Sequence, residues 1–310
     1  MPQKHKYKES VVKNGYTVIN CEDCGYWHVH PMPSEDELKI YYRNKYYETL
    51  SDNRSMTDKI DDPDGFIKIT HYDKLRQLEK LLSPDLPRLV LDIGAGYGDF
   101  LSFMKTNGWK TQGLEPSKEA YNTAKNKKLN IKFGDLNNLL NLGLKPSSVV
   151  SLNNVLEHLR EPLKVLEIIR EHLLLPGGIV LILVPNDFNV LQDLLMKTVL
   201  KNNINKQYYW VAPLDHLNYW SAKTIQSFLK KCGFKILEFI SDFPMELFPL
   251  MGEDYITYPK IGRDAHLKRV SFEKILFETK SFEFKDILFK TFAEVGVGRL
   301  IQIFMTPNKD

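Results

Sequence analysis

Three glycines, at 94, 96 and 98 in "VLDIGAGYGDFL", stand directly behind the strand-forming run Leu89 to Ile93 and directly ahead of a helical pattern. Glycine lets a backbone turn tightly and come close to a ligand. At the carboxyl end of a parallel strand, such a turn cradles the polar part of a nucleoside-containing molecule. Asp99 occupies the position where a dinucleotide fingerprint has its third glycine, which weighs against a nicotinamide dinucleotide. Farther on, Glu115 closes a second predicted strand, where an acid can accept from both ribose hydroxyls, and Asp135 follows a third, where a carboxylate can accept from an adenine amino group.

Histidine titrates near neutrality and serves most readily as a general base. Two histidines are placed for such work. His158 follows the fourth strand in "VLEHL", where a structural or cofactor-side role competes with catalysis. His216 lies among aromatic residues in "WVAPLDHLNYWS", just before a helix starting near Ser221, where capping or packing competes with it. Cys21 and Cys24 in "CEDCG" supply two of the four ligands that a structural zinc site needs. His28 and His30 can complete the set only if strand geometry puts both on one face, and a metal-free lobe remains the alternative. The third cysteine, Cys232, reads as a core thiol.

These residues need a scaffold, and the pattern between about 88 and 185 provides one. "RLVLDI", "WKTQGLEP", "NIKFGD", "SSVVSLNN" and "IVLILVP" read as strands. Between them "YGDFLSFMKTNG", "SKEAYNTAKNKK" and "EPLKVLEIIREHLLLPGG" read as helices, the second capped by Ser117 and the third carrying Leu163, Leu166, Ile169 and Leu173 as a stripe stopped by Pro176-Gly177-Gly178. Such alternation implies a parallel, doubly wound α/β sheet. The expected organisation is a Cys-x-x-Cys lobe over 1–33, a helical lid or linker over 34–85, a core over 86–240, a helical insertion over 241–298 and a final strand over 299–310. A helix begins near Ser34, with Glu37 at the capping-box position. The aromatic run from Tyr41 to Glu48 reads as a packed helix or a lid, and "SFEKILFETKSFEFKDILFKTF" as core or homodimer interface.

Bulk properties narrow the field. The balance of 42 basic and 39 acidic side chains is too even for a nucleic-acid partner to be expected, although the Cys-x-x-Cys lobe keeps that possibility open. The longest apolar run, Ile179 to Val184, is far shorter than the roughly 20 residues of a membrane span. The charged first fifteen residues hold no leader-like apolar segment, and three cysteines make no disulfide framework, so a cytoplasmic protein is expected.

In order and spacing, "VLDIGAGYGDFL", "GLEPS", "FGDL", "VVSLNNVLEHLREP" and "LLLPGGIVLILVPN" resemble the class I S-adenosylmethionine-dependent methyltransferases over about 100 contiguous residues. The resemblance implies a Rossmann-like doubly wound sheet with a seventh, antiparallel strand, for which "RLIQIFMTP" is the candidate, and S-adenosyl-L-methionine as cofactor. By position, Asp92, Gly94, Ala95, Gly96 and Gly98 would face the methionine moiety, Glu115 the ribose and Asp135 the adenine, with Leu136 also in the cofactor set. Asn153 would meet the amino-acid end through its backbone or amide. "DHLNYWS" is similar to an element of bacterial deoxysugar methyltransferases, some of which use its histidine as base, although Pro213 stands where they have a tyrosine. "CEDCGYWHVHPMPS" is similar to the second half of their N-terminal zinc lobe, whose first cysteine pair is missing here. The implied reaction is methylation of a small polar acceptor, a sugar nucleotide or glycan precursor in polysaccharide biosynthesis. Oxygen is the preferred target and His216 the base, with nitrogen and carbon open. A NAD-dependent oxidoreductase and a non-catalytic S-adenosylmethionine-binding scaffold are the rival expectations.

Overall fold

The computed structural model describes residues 5–41, 65–134 and 136–308. Its strands are β1 (Tyr7–Lys13), β2 (Tyr16–Cys21), β3 (Trp27–Val29), β4 (Leu89–Ile93), β5 (Lys110–Glu115), β6 (Ile131–Phe133), β7 (Ser147–Asn153), β8 (Leu174–Pro185), β9 (Asn218–Tyr219), β10 (Phe234–Ser241) and β11 (Leu300–Pro307). Seven form one sheet in the order β10-β11-β8-β7-β4-β5-β6, and four form a smaller sheet in the order β1-β2-β3-β9. Contacts divide the chain into two units. Residues 185–225 and 241–299 join the N-terminal segment up to Ile69 in one; residues 70–184, 226–240 and 300–310 make the other.

In the larger sheet β4 runs parallel to β5 and β7, β5 to β6, and β7 to β8. Strand β11 runs the other way. The Asn186 N–H just past β8 donates to the Arg299 carbonyl just before β11 at 2.8 Å. At the opposite ends, Thr306 Oγ1 donates to the Gly178 carbonyl at 3.0 Å and the Asn308 N–H to the Gly233 carbonyl at 2.9 Å. The central strands carry unbroken apolar runs because helices cover both faces: Val90, Leu91, Ile93, Val149, Val150 and Leu152 are fully buried. The Asp99–Thr106 helix adds Phe100, Leu101 and Met104 to this core, and the Lys118–Asn126 helix adds Ala120 and Ala124.

The helix starts read from sequence are present. Ser117 Oγ accepts from the Ala120 N–H at 3.2 Å. Ser34 and Glu37 form a reciprocal capping box ahead of the Glu35–Tyr41 helix, with Glu37 Oε2 accepting the Ser34 N–H at 2.8 Å and Ser34 Oγ accepting the Glu37 N–H at 3.2 Å. Two expectations need correction. The helix from Pro162 ends at Ile168 in a π turn over Ile169–Leu173, and β8 starts at Leu174, so Pro176-Gly177-Gly178 lie inside the strand rather than stopping the helix. Ser147 pairs with Leu174 and Val149 with Ile179, so a local irregularity absorbs the extra residues before regular pairing resumes. Leu163 is 46% exposed, and Val165 takes its place in the buried stripe with Leu166, Ile169 and Leu173.

The small sheet holds an arrangement that the sequence did not announce. Asn218 and Tyr219, read as a loop ahead of a helix, pair as β9 with His28 and Trp27 of β3. The segment 241–298 contains the helices Leu247–Leu250, Gly262–Glu278 and Phe282–Glu294. The phenylalanine-rich run there breaks at Lys280, with Phe289 and Ala293 buried and Phe284 and Ile287 exposed. No helix among the described residues is long and apolar enough to cross a membrane.

Gly98 opens the Asp99–Thr106 helix in the left-handed region at φ 78°, and a Cβ there would overlap Leu129 Cδ1 and stand 3.1 Å from Ala124 Cβ. Left-handed strain and overpacking together should make Gly98→Ala destabilising by about 2–4 kcal/mol. Urea denaturation measures this; a loss below about 0.5 kcal/mol would show that the turn tolerates a side chain.

Candidate functional site

The glycine turn follows β4, and its geometry comes from the neighbouring strands. Asp92, the penultimate residue of β4, is 2% exposed. Its Oδ1 accepts from Ser151 Oγ at 2.6 Å and from Asn153 Nδ2 at 3.1 Å, both on β7. Asn153 Oδ1 in turn accepts from Lys74 Nζ at 2.6 Å, which reaches in from the Phe66–Leu81 helix. Burial lowers the Lys74 ammonium to about 8 while nearby Asp92 opposes the shift. A chain of two buried charges and two neutral groups therefore crosses the floor of the turn.

The far side of the turn is held by Glu115 at the end of β5. Its Oε2 accepts the Gly96 N–H and its Oε1 the Ser117 N–H, each at 2.7 Å. Burial raises this carboxyl, the two backbone bonds oppose the rise, and Asp92 adds to it. A carboxylate offers about four lone-pair positions, so two accepting positions remain after the backbone is satisfied. Gly94 and Gly96 both have positive φ. A Cβ on Gly94 would meet Val155 at 2.5 Å, whereas one on Gly96 would meet nothing within 4 Å. Gly94 is thus demanded by packing, and Gly96 borders open space.

The structure brings Asp92, Gly94, Ala95, Gly96, Gly98, Glu115 and Asn153 together in one unit, and adds Lys74, which no local motif announces. The Asn153 amide is engaged on both sides by Asp92 and Lys74. Asp135 lies outside the described residues, as do the side chain of Leu136 and the run from 42 to 48; Tyr41, at its start, ends the Glu35–Tyr41 helix and is partly buried. Of the two histidines, His158 stands in the same unit, its Nε2 3.9 Å from Glu157 Oε1. His216 belongs to the other unit. Its N–H donates to the Ala212 carbonyl at 2.8 Å, its Nε2 is 4.0 Å from Asp215 Oδ2, and its ring is 6.1 Å from that of Tyr219. Cys232 is buried, and burial pushes its thiol up to about 12, as expected of an inert core cysteine.

The Cys-x-x-Cys turn gathers a different set from the one expected. His5, Cys21, Cys24 and His28 each offer a ligand atom within 4.8 Å of the others. His5 Nδ1 is 3.2 Å from Cys21 Sγ and 3.6 Å from Cys24 Sγ. His28 Nδ1 donates to the Val29 carbonyl at 2.8 Å, which leaves its buried Nε2 without a hydrogen-bond partner. His30 is not part of the set. It is two residues beyond His28, with the two rings 6.2 Å apart, and His5 supplies the ligand that the sequence reading gave to it.

A family model described as a methyltransferase domain matches residues 66–238. Among solved structures, the chain is similar to a SAM-dependent methyltransferase from Archaeoglobus fulgidus, at 15% identity and a TM-score of 0.50, covering 84% of this chain and 99% of that one. It is also similar to the plantazolicin methyltransferase BamL, solved with a triazolic desmethylPZN analog and SAH, at 14% identity and a TM-score of 0.51, covering 88% of this chain and 95% of that one. At these identities the likeness is one of fold. No curated protein matches the sequence.

Burial raises the Asp92 carboxyl to about 6, against the bonds from Ser151, the Lys74 charge and the Asn153 bond. A raised acid holds its proton more tightly when folded, so its contribution to stability is complete below about pH 4 and is lost as pH rises through about 6. Relative to Asp92→Asn, which does not titrate, the chain should gain about 2–3 kcal/mol of unfolding free energy between pH 7 and pH 4. A difference that stays flat over that range would contradict an unfavourable buried charge at Asp92.

Proposed function

We propose, from the premise that this chain belongs to the methyltransferase-domain family, that it transfers a methyl group from S-adenosylmethionine to a small polar acceptor. The observation that carries the donor assignment is Glu115. It is pinned by two backbone N–H groups at the edge of a glycine turn that has room at Gly96, and it keeps two accepting positions for a diol such as a ribose. The bound donor supplies an electrophilic methyl on a sulfonium, and transfer from it needs alignment more than covalent help. On the protein's side Glu115 orients the ribose, Asp135 meets the adenine, and Leu136 belongs to the same cofactor set. The turn from Gly94 through Ala95 and Gly96 to Gly98 lines the methionine, with Asp92 fixing its shape from below. The ammonium of Lys74 supports Asn153, whose backbone faces the amino-acid end.

His216 is the general base in this reading, and it takes the acceptor's proton as the new bond forms. Such a base contributes most when the acceptor atom is a hydroxyl oxygen. A sugar nucleotide or other glycan precursor fits a small polar acceptor of that kind. His158 has the role of shaping the turn after β7.

The ligand set at the N-terminal lobe fits a tetrahedral zinc ion: two thiolates and two imidazoles, with the His28 tautomer fixed by its bond to a backbone carbonyl. His5, Cys21, Cys24 and His28 would hold it, and its role is structural. The ion would tie β2 and β3 to the residues before β1, and through the β3–β9 pairing it would steady the segment that carries His216.

Thermal shift tests the donor directly. S-adenosylhomocysteine should raise the melting temperature and NAD should not; stabilisation by NAD alone would favour the oxidoreductase reading. His216→Ala should keep homocysteine-product affinity within about twofold and lose about 10²–10⁴ in turnover with the best acceptor found. Unchanged turnover would move the base elsewhere. Metal analysis of protein purified with zinc should find one zinc per chain, lost in a Cys21→Ser, Cys24→Ser variant along with several degrees of melting temperature. Metal-free protein with an unaltered melting temperature would contradict the zinc assignment.

A further inference from the structure

One surface of the unit that contains residues 185–225 and 241–299 is apolar and basic at once, and it takes no part in the donor site. Leu195, Leu200 and Ile256 form a buried cluster there, with Tyr209, Leu250 and Tyr255 packed against it. Neighbouring residues turn outward. Ile204 is 80% exposed, the highest value for a large apolar side chain among the described residues; Met251 is 68% and Tyr258 65% exposed, and Leu194 and Val199 also face solvent. Asn203 Nδ2 donates to Thr257 Oγ1 at 3.3 Å, so Ile204 and Tyr258 each follow a member of one bonded pair. Single exposed apolar side chains are ordinary on a protein surface, but several around one cluster mark an interaction face.

The most exposed part of this face is firmly built. The Lys206 N–H donates to the Asn203 carbonyl at 2.9 Å and the Gln207 N–H to the Ile204 carbonyl at 3.2 Å, which closes the 3-10 turn Ile204–Lys206. The Tyr208 N–H donates to Met196 Sδ at 3.2 Å, and Lys13 Nζ donates to the Gln207 and Tyr208 carbonyls at 3.0 and 2.8 Å. Ile204 is therefore held outward by its backbone rather than left to fold back onto the core.

The charges around it favour one sign. From Leu194 through Leu214 the chain carries Lys197, Lys201 and Lys206 and no acid. Lys13 lies close enough to Lys206 that its ammonium is lowered first by burial and then by that neighbour. The acids nearby are engaged: Asp193 with Lys197, Glu253 with Lys268, and Asp254 Oδ1 with the Ile256 and Thr257 N–H groups at 3.1 and 3.0 Å. Aliphatic side chains beside lysines, with no arginine in that stretch, suit a lipid surface better than a protein one, because protein interfaces favour arginine and are depleted in lysine. A second copy of this chain seated on the same face about a two-fold axis would set lysine against lysine.

We propose that the face built from Leu194, Val199, Ile204, Met251 and Tyr258 docks on an anionic lipid bilayer. The apolar side chains enter the boundary between headgroups and acyl chains, where burial removes them from water, and the ammonium groups of Lys201 and Lys206 meet lipid phosphates. Each lysine brought to such a surface strengthens binding about fivefold, so neither the apolar nor the basic half suffices alone.

Vesicle co-sedimentation of the full-length chain tests the face, with phosphatidylcholine alone and with an equal mixture of phosphatidylcholine and phosphatidylglycerol. The chain should partition about tenfold or more strongly onto the mixed vesicles at about 0.1 M salt, and that advantage should shrink at about 1 M, where screening shortens to about 3 Å. Ile204→Ser, and separately Lys201→Ala with Lys206→Ala, should each weaken binding to mixed vesicles about tenfold or more while moving the melting temperature by less than about 2 °C. Ile287→Ser, which alters an apolar side chain that is 60% exposed on the Phe282–Glu294 helix, should leave binding unchanged. The assay contains no methyl donor or acceptor, so its outcome is independent of the methyltransferase reading. Absence of binding to mixed vesicles, equal binding to both compositions, retained binding in the Ile204 and lysine variants, or an equal loss in Ile287→Ser would each overturn the proposal. Concentration-dependent dimers lost in Ile204→Ser, without vesicle binding, would overturn it in favour of a second copy of the chain.

Discussion

The ionised carboxylate of Asp92, buried at the end of β4, is the constraint around which the donor half of the molecule is arranged. A charge in that position is tolerable only with several donors around it. Ser151 and Asn153 on β7 donate to it, and Lys74, on a helix that precedes the sheet, donates to Asn153 and adds an opposite charge. Satisfying one carboxylate therefore locks the register of β4 against β7 and docks the helix. The same contacts fix where the backbone leaves β4 and enters the glycine turn.

From that fixed point the turn can be open without being loose. Gly94 is held against Val155, Gly98 against Leu129 and Ala124, and the Gly96 N–H is tethered to Glu115, so only the segment facing open space is free of packing. A site shaped before a ligand arrives loses less freedom on binding, which favours affinity. The two carboxylates at this turn are thus engaged differently: Asp92 accepts from side chains of β7 through Oδ1, while Glu115 accepts one backbone N–H at each oxygen.

What the sequence made legible was local. The glycine spacing, the acid at the end of β5, and the Ser34 and Ser117 caps all follow from residues within a few positions of one another, and each is found in place. The parallel, doubly wound core was legible from the alternation of apolar runs and helices, whereas the seventh, reversed strand was expected only from the resemblance to class I methyltransferases. What stayed hidden depends on partners far along the chain. Lys74 meets Asn153 across 79 positions, His5 meets Cys21 across 16, and two residues after His216 form a strand only because β3 offers its edge. The start of β8 was misread because Pro176-Gly177-Gly178 looks like a helix stop, whereas pairing with Ser147 recruits the residues ahead of it into the sheet.

The central claim is that Glu115 and the glycine turn hold the donor, and equilibrium binding tests it most directly. Calorimetric titration of S-adenosylhomocysteine into the chain and into Glu115→Gln should give a dissociation constant in the micromolar range or tighter, about 8 kcal/mol, for the first, and an affinity about tenfold or more weaker for the second. Equal affinities would show that Glu115 does no more than brace the turn, and absence of binding to the unaltered chain would contradict the assignment of the donor site.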